Sequence, residues 1–298
     1  MEINTIDRLK KEKDAVILAH YYVDGDVQAA ADVVGDSFTL AKLATELDAN
    51  HIIMAGVEFM GETVKILNPD KHVYLPDLDA DCPMAHMVSV EKIEEMREKY
   101  PDLAVVCYVN STADIKAHSD YCCTSSNAVK VVSAIESDTI FFIPDGNLGR
   151  NIQDQFPDKT LINNDGCCPV HDQMTAEKII NLKKAYPDAA VFAHPECKPE
   201  VLEHVDYKGS TKGILKAVGE LDRDVNIIIT EQGLLYELEK NYPDKKFIFP
   251  DMICEGMKKI TTDKIVAILE ESVNEIHVDP ALAERAKLPL DRMLAICK

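Results

Sequence analysis

Tryptophan is absent from this chain of 298 residues, and aromatic side chains make up only 6% of it. No apolar run approaches the roughly 18–20 residues that a membrane span needs. The opening stretch "MEINTIDRLKKEKD" is polar and amphipathic, without the apolar centre of a signal peptide. These absences set the expectation of a soluble, cytoplasmic protein with no membrane partner. A basic patch is missing too. Lysines are interspersed with acids and the net charge is −20, so nucleic acid is not an expected partner. An anionic substrate would need local donors to hold it.

The C-x-x-C pair is also lacking, although there are nine cysteines, at 82, 107, 122, 123, 167, 168, 197, 254 and 297. The commonest structural zinc spacing is therefore unavailable. A disulfide framework does not suit a cytosolic chain of this size. Any one cysteine taken alone reads as a small buried hydrophobe. Hydrophobic residues amount to 46%, enough for folded cores, and the length allows one large domain or two to three small ones.

What is present is a threefold repeat. "DAVILAHYY", "DLAVVCYVN" and "DAAVFAHPE" each begin with Asp, run apolar and end in a polar or aromatic triplet, and their aspartates lie 88 and 86 residues apart. Downstream, "ADVVGDSFTLAK", "SDYCCTSSNAVK" and "VDYKGSTKGILK" align with Asp second, a hydroxyl seventh (Ser37, Ser125, Thr211) and Lys last. Pro-Asp-Lys recurs at 69–71, 157–159 and 243–245. Each unit then reaches a cysteine, Cys82, Cys168 and Cys254, spaced by 86 and 86. Several patterns in one register, three times over, mark an internal repeat.

Within a unit, four short apolar runs alternate with amphipathic helical patterns, which argues for a parallel sheet covered on both faces. The expected class is α/β: three homologous αβα sandwich domains, each with a four-stranded parallel sheet and right-handed crossovers. The expected limits are 1–86, 87–172 and 173–272, with 273–298 folding back to complete the first domain and close the ring. Ligands gather at the carboxyl ends of parallel strands. Those ends carry His20-Tyr21-Tyr22, Tyr108-Val109-Asn110 and His194-Pro195-Glu196, then the three hydroxyls, then the three cysteines.

Each of these columns has a chemistry. Three thiolates without a fourth partner suit an iron–sulfur cube with one open iron, a Lewis acid able to assist loss of water. Three core cysteines at equivalent places, or one zinc ion, fit the same spacing. Ser37, Ser125 and Thr211 open helices, where free N–H groups favour phosphate or carboxylate, or where they simply cap. His20 and His194 can carry protons near neutral pH, Glu196 is a candidate general base, and Tyr22 and Tyr108 can donate to an oxyanion.

At these residues the sequence resembles the quinolinate synthase family. The matching segments are "LAHYY", "VGDSFTLAK", "GVEFMGETVKILNPDK", "CPM", "CYVNST", "CTSSNAVKVV", "GCCPVH", "HPEC" and "KGST". The resemblance implies three αβα domains about a pseudo-threefold axis. It also implies a transferase that condenses iminoaspartate with dihydroxyacetone phosphate to quinolinate, releasing phosphate and two waters, in de novo NAD biosynthesis. It implies one non-redox [4Fe–4S] cluster per chain, held by Cys82, Cys168 and Cys254, whose open iron binds substrate and helps expel water. Carried over by motif, His194 and Glu196 transfer protons, and Tyr22 and Tyr108 handle carbonyl and hydroxyl groups. His20, Ser37, Asn110, Ser125, Ser210 and Thr211 hold carboxylates and phosphate, alongside His194 and Glu196. An upstream enzyme that makes iminoaspartate is a further possible partner. Longer members carry C-x-x-C-x-x-C at the third ligand. Here Asp251 and Met257 flank Cys254 and only one thiol remains. Two other classes compete: a metabolite binder with buried structural cysteines, and a zinc hydrolase with three thiolates and a water.

Overall fold

The computed structural model of the chain describes residues 2–298. Twelve strands form three separate four-stranded sheets. The first contains β1 (Ala15–His20), β2 (Val33–Gly35), β3 (His51–Ala55) and β4 (His72–Tyr74). The second contains β5 (Ala104–Tyr108), β6 (Tyr121–Cys123), β7 (Thr139–Ile143) and β8 (Thr160–Asn163). The third contains β9 (Ala190–Ala193), β10 (Tyr207–Lys208), β11 (Val225–Ile229) and β12 (Lys246–Ile248). Every pairing within a sheet is parallel, and each sheet has the same order: second strand, first, third, fourth. The fold is thus α/β with three αβα units, as the repeat predicts. The central strands are almost wholly buried because helices cover both faces, which is why they read as continuous apolar runs.

Two of the repeated columns serve the fold. The second-place aspartates sit just ahead of each edge strand and reach back to the central strand. Asp32, Asp120 and Asp206 accept from the backbone N–H of Ile17, Val105 and Val191, each at 2.8 Å. Their own N–H groups return a bond to the carbonyls of those residues at 2.9, 3.0 and 2.8 Å. This two-point clamp sets the register of each edge strand, where a slip by one residue would turn every side chain over. The lysines of Pro-Asp-Lys hold the preceding loop. Lys71 donates to Leu47 O, Lys159 to Ile135 O and Ser137 O, and Lys245 to Arg223 O.

The first two units share one continuous apolar core, which Met257, Ile260, Ile265, Ile268 and Leu269 also join, whereas the third sheet packs against two further clusters, one on each face, the second of which takes in Tyr21 of the first unit. Polar bridges tie the third unit to the other two. Gln28 Nε2 donates to Gly233 O at 2.9 Å, and Asn151 Nδ2 donates to Pro195 O and Cys197 O at 2.8 and 2.7 Å.

The closing segment serves two units. Residues 274–276 pair antiparallel with the open edge of β4, with Leu75 N–H on Asn274 O and Ile276 N–H on Val73 O. The last helix, Pro280–Ile296, is capped by Asp279 and lies mainly against β6 and the helix Ala113–Ala117 of the second unit, also touching the helix Glu58–Leu67 of the first. The edge strands β4 and β6 thereby gain a cover. Ala286, Leu290 and Met293 form the buried face of that helix. Leu290→Ala is expected to cost about 2–5 kcal/mol in urea unfolding. A change within about 0.5 kcal/mol would show that the helix does not seal this edge.

Candidate active site

The carboxyl ends of the three sheets surround one cavity. From the first unit it is lined by His20, the last residue of β1, and by Tyr22, Ser37 and Cys82. From the second come Tyr108, which ends β5, then Asn110, Ser125 and Cys168. From the third come His194 and Glu196, just past β9, with Thr211 and Cys254. Ser210 is the one expected site residue outside the wall. It caps the helix Thr211–Leu221 by accepting from Gly213 N–H. Asp36 plays the same part before the helix Ser37–Ala44, accepting from Thr39 N–H. With capping done by their predecessors, Ser37 and Thr211 are first helical residues on the cavity wall, and Thr211 Oγ1 lies 2.8 Å from the Tyr22 phenol oxygen. Ser125 lies in the turn before the helix Ala128–Ser133.

Each cysteine precedes a short helix that follows the fourth strand: Pro83–His86, Pro169–Asp172 and Glu255–Lys258. Backbone N–H groups of those helices face the sulfurs: Met84 and Ala85 at Cys82, His171 at Cys168, Met257 and Gly256 at Cys254. Burial nevertheless dominates. It pushes Cys82 up to about 12, aided by Cys254 nearby, pushes Cys168 well above the ordinary thiol range with help from Glu196, and raises Cys254. Three soft sulfur donors thus share one desolvated space, with N–H groups ready to support thiolates once a cation compensates them. That donor set fits a thiolate-held metal group. Asn110 Oδ1 is buried on the same cavity without a hydrogen-bond partner, a second sign that the site is built for a ligand. Cys167 does not line the cavity; its N–H faces Met87 Sδ at 3.4 Å.

Glu196 is the electrostatic centre of the opposite wall. His171 Nδ1 lies 2.8 Å and His194 Nδ1 3.3 Å from its Oε2. Burial opposes its ionisation, but the two imidazoles outweigh this and hold the carboxyl well below the usual range. Burial lowers His194, against the pull of Glu196, and its Nε2 meets Ser125 Oγ at 3.1 Å. Burial also lowers His20 to about 4, with Asp36 opposing. Tyr22 N–H donates to His20 Nδ1 at 3.2 Å, so the proton of the neutral ring sits on Nε2 as a donor. Tyr22 and Tyr108 are raised well above the ordinary phenol value, chiefly by burial and then by Glu196, and keep their protons.

The repeat reading missed Asp36, Thr124, His171 and Glu231, all on the cavity wall. His171 was findable three residues after Cys168 in "GCCPVH", and Glu231 at the end of "NIIITEQG", where a strand again stops in a carboxylate. Glu231 accepts from Cys254 N–H at 3.2 Å and from Lys258 Nζ at 3.1 Å, and Lys258 in turn donates to Tyr22 O at 3.0 Å. The third cysteine loop is thereby bolted to the first unit.

A family model described as Quinolinate synthetase A protein matches residues 4–295. The chain belongs to that family. It is 54% identical over 292 residues to a quinolinate synthase of Fusobacterium nucleatum, covering 98% of both chains. It is 45% identical over 296 residues to that of Alkaliphilus metalliredigens, covering 99% of this chain and 98% of the relative. The quinolinate synthase of Aquifex aeolicus is 45% identical over 298 residues, covering 98% and 92%.

One contact makes the meeting of cysteine loops testable. A Cβ on Gly256, two residues past Cys254, would lie 2.3 Å from Asp81 O, directly before Cys82. Gly256→Ala is therefore expected to force the two loops apart and cost about 1–3 kcal/mol in denaturant unfolding. Unchanged stability would mean that the loops have slack between them.

Proposed function

We propose that the chain is a quinolinate synthase. It joins iminoaspartate to dihydroxyacetone phosphate and releases phosphate and two waters, giving quinolinate for NAD biosynthesis. The observation that carries this reading is the meeting, in a chain of this family, of three cysteines from three units with an ionised carboxylate and neutral imidazoles and phenols around one cavity. A [4Fe–4S] cluster on Cys82, Cys168 and Cys254, with one iron free of protein sulfur, would supply Lewis acidity for dehydration. The three units proposed are 1–86, 87–172 and 173–272, with the start of 273–298 pairing with the first and its helix lying mainly on the second.

The chain's own residues supply the rest. Ser37 and Thr211 at helix starts, Ser125, the His20 Nε2–H and the Asn110 side chain are neutral groups able to bind carboxylates and phosphate. They act where the protein's own charge gives no attraction. Glu196 is ionised and dry, so it accepts a proton from a substrate carbon or nitrogen, with His194 beside it to pass that proton on. Tyr108, next to Glu196 and still protonated, donates to a carbonyl oxygen as charge develops there.

A single divalent ion on Cys168, His171 and Glu196 is the alternative occupant, since one ligand atom from each lies within 4.8 Å of the others. The test of the function is quinolinate formation by oxygen-free protein supplied with both substrates, beside Glu196→Gln. The variant should keep the metal content of the wild type and lose turnover by roughly 10²-fold or more. Wild-type turnover in Glu196→Gln would remove the carboxylate from the chemistry, and no quinolinate from the wild type would overturn the assignment.

A further inference from the structure

Among the described residues, Lys116 is the largest fully buried side chain, and the chemistry above does not use it. It belongs to the helix Ala113–Ala117, pairs with no carboxylate, and lies behind the cavity wall rather than in it. A dry ammonium is costly unless other groups compensate it. Its Nζ donates to Ser111 O and lies 5.6 Å from the centre of the Phe59 ring, within cation–π reach. Its third neighbour is the Cys107 sulfur, which burial raises but Cys122 and then Lys116 bring down to about 7. Ser111 directly follows Asn110. Asn110 and Phe59 both line the cavity, one from the second unit and one from the first.

Tyr108 and Val109 do not need this lysine. Tyr108 pairs with Cys123 in the sheet, and Val109 N–H donates to Cys123 O at 2.9 Å. The chain leaves the sheet at Asn110, whose Oδ1 is buried without a protein partner. An amide that no protein group holds takes its aim from its backbone. That backbone is fixed through Ser111. Its N–H donates to Val109 O at 2.8 Å and its Oγ to Tyr108 O at 3.0 Å, while its own carbonyl accepts from Lys116. The first two bonds tie Ser111 to the end of β5. The third ties it to the next helix and, through the ammonium, to Phe59 of the facing unit.

We propose that Lys116 is a positioning residue that aims the Asn110 amide at a carboxylate or phosphate of the substrate. It does so by holding the turn after β5 at a set distance from Phe59. This rests on the quinolinate synthase reading and deepens it. An apolar side chain of nearly the same length would remove the cost of burying the ammonium together with its bonds. The fold then has little to lose, whereas the aim of Asn110 is lost.

Four metal-loaded proteins test this as a double-mutant cycle: wild type, Lys116→Met, Asn110→Ala and the two changes together. Asn110→Ala shows which affinity the amide serves, the KM for dihydroxyacetone phosphate or the Kd of quinolinate in equilibrium dialysis. Lys116→Met should weaken that same affinity about tenfold and keep kcat within about threefold of wild type. Added to Asn110→Ala, it should weaken the affinity less than about threefold, because no amide is left to aim. Equal losses in both backgrounds, or no loss in Lys116→Met, overturn the proposal. So does an Asn110→Ala variant with both affinities intact. A purely structural lysine would instead lower the urea midpoint alike in both backgrounds and leave affinity unchanged, which also overturns it. If Lys116→Met fails to fold, Lys116→Leu takes its place in the cycle. A wild type that makes no quinolinate is a separate result and overturns the function itself.

Discussion

Three thiols from three separate units share one desolvated space, and that constraint governs the rest of the structure. As thiolates they would repel one another strongly in a medium of low dielectric. No lysine or arginine lines the cavity among the described residues to offset them. The protein brings them together regardless, at the same point after the fourth strand of each unit, each with backbone N–H groups turned toward its sulfur. Such an arrangement is stable as neutral thiols or around a cation, and the neighbouring residues hold the loops together in either case. Gly256 has no side chain where Asp81 needs the room, and the Glu231–Lys258 pair locks the third loop onto the first unit. Closeness of the loops is built in on both sides.

Much of this was legible in the sequence because the repeat is close. Columns of like residues 86 to 88 apart mark both sheet geometry and the carboxyl ends of strands. Yet a column does not say what it does. The second-place aspartates and the Pro-Asp-Lys lysines look as functional as the cysteines when written out. Only hydrogen bonding shows that they pin edge strands and loops. Similarity among copies is as natural for a fold-fixing residue as for a ligand, since three equal sheets pose the same register problem three times.

What the repeat could not show is what happens between units. Ser210 and Thr211 are neighbours in "KGST", and one hydrogen bond to Gly213 N–H makes the first a cap while the second faces the cavity. His171 has no like residue in the other two units, where Ala85 and Met257 follow their cysteines at the same offset. Its surroundings come from the third unit, whose Glu196 Oε2 lies 2.8 Å from its Nδ1 and whose Thr230 Oγ1 lies 3.0 Å from its Nε2. The last helix has no counterpart in the repeat, so no repeated motif announces its place against β6.

The account turns on whether the three sulfurs hold one iron–sulfur group. Iron and acid-labile sulfide in protein purified without oxygen, measured for the wild type and for single Cys→Ser variants at 82, 167, 168 and 254, test this directly. About four irons and four sulfides per chain, lost on changing Cys82, Cys168 or Cys254 and kept on changing Cys167, is the predicted result. A single zinc ion, or a cluster that survives loss of Cys168 and disappears with Cys167, would contradict it.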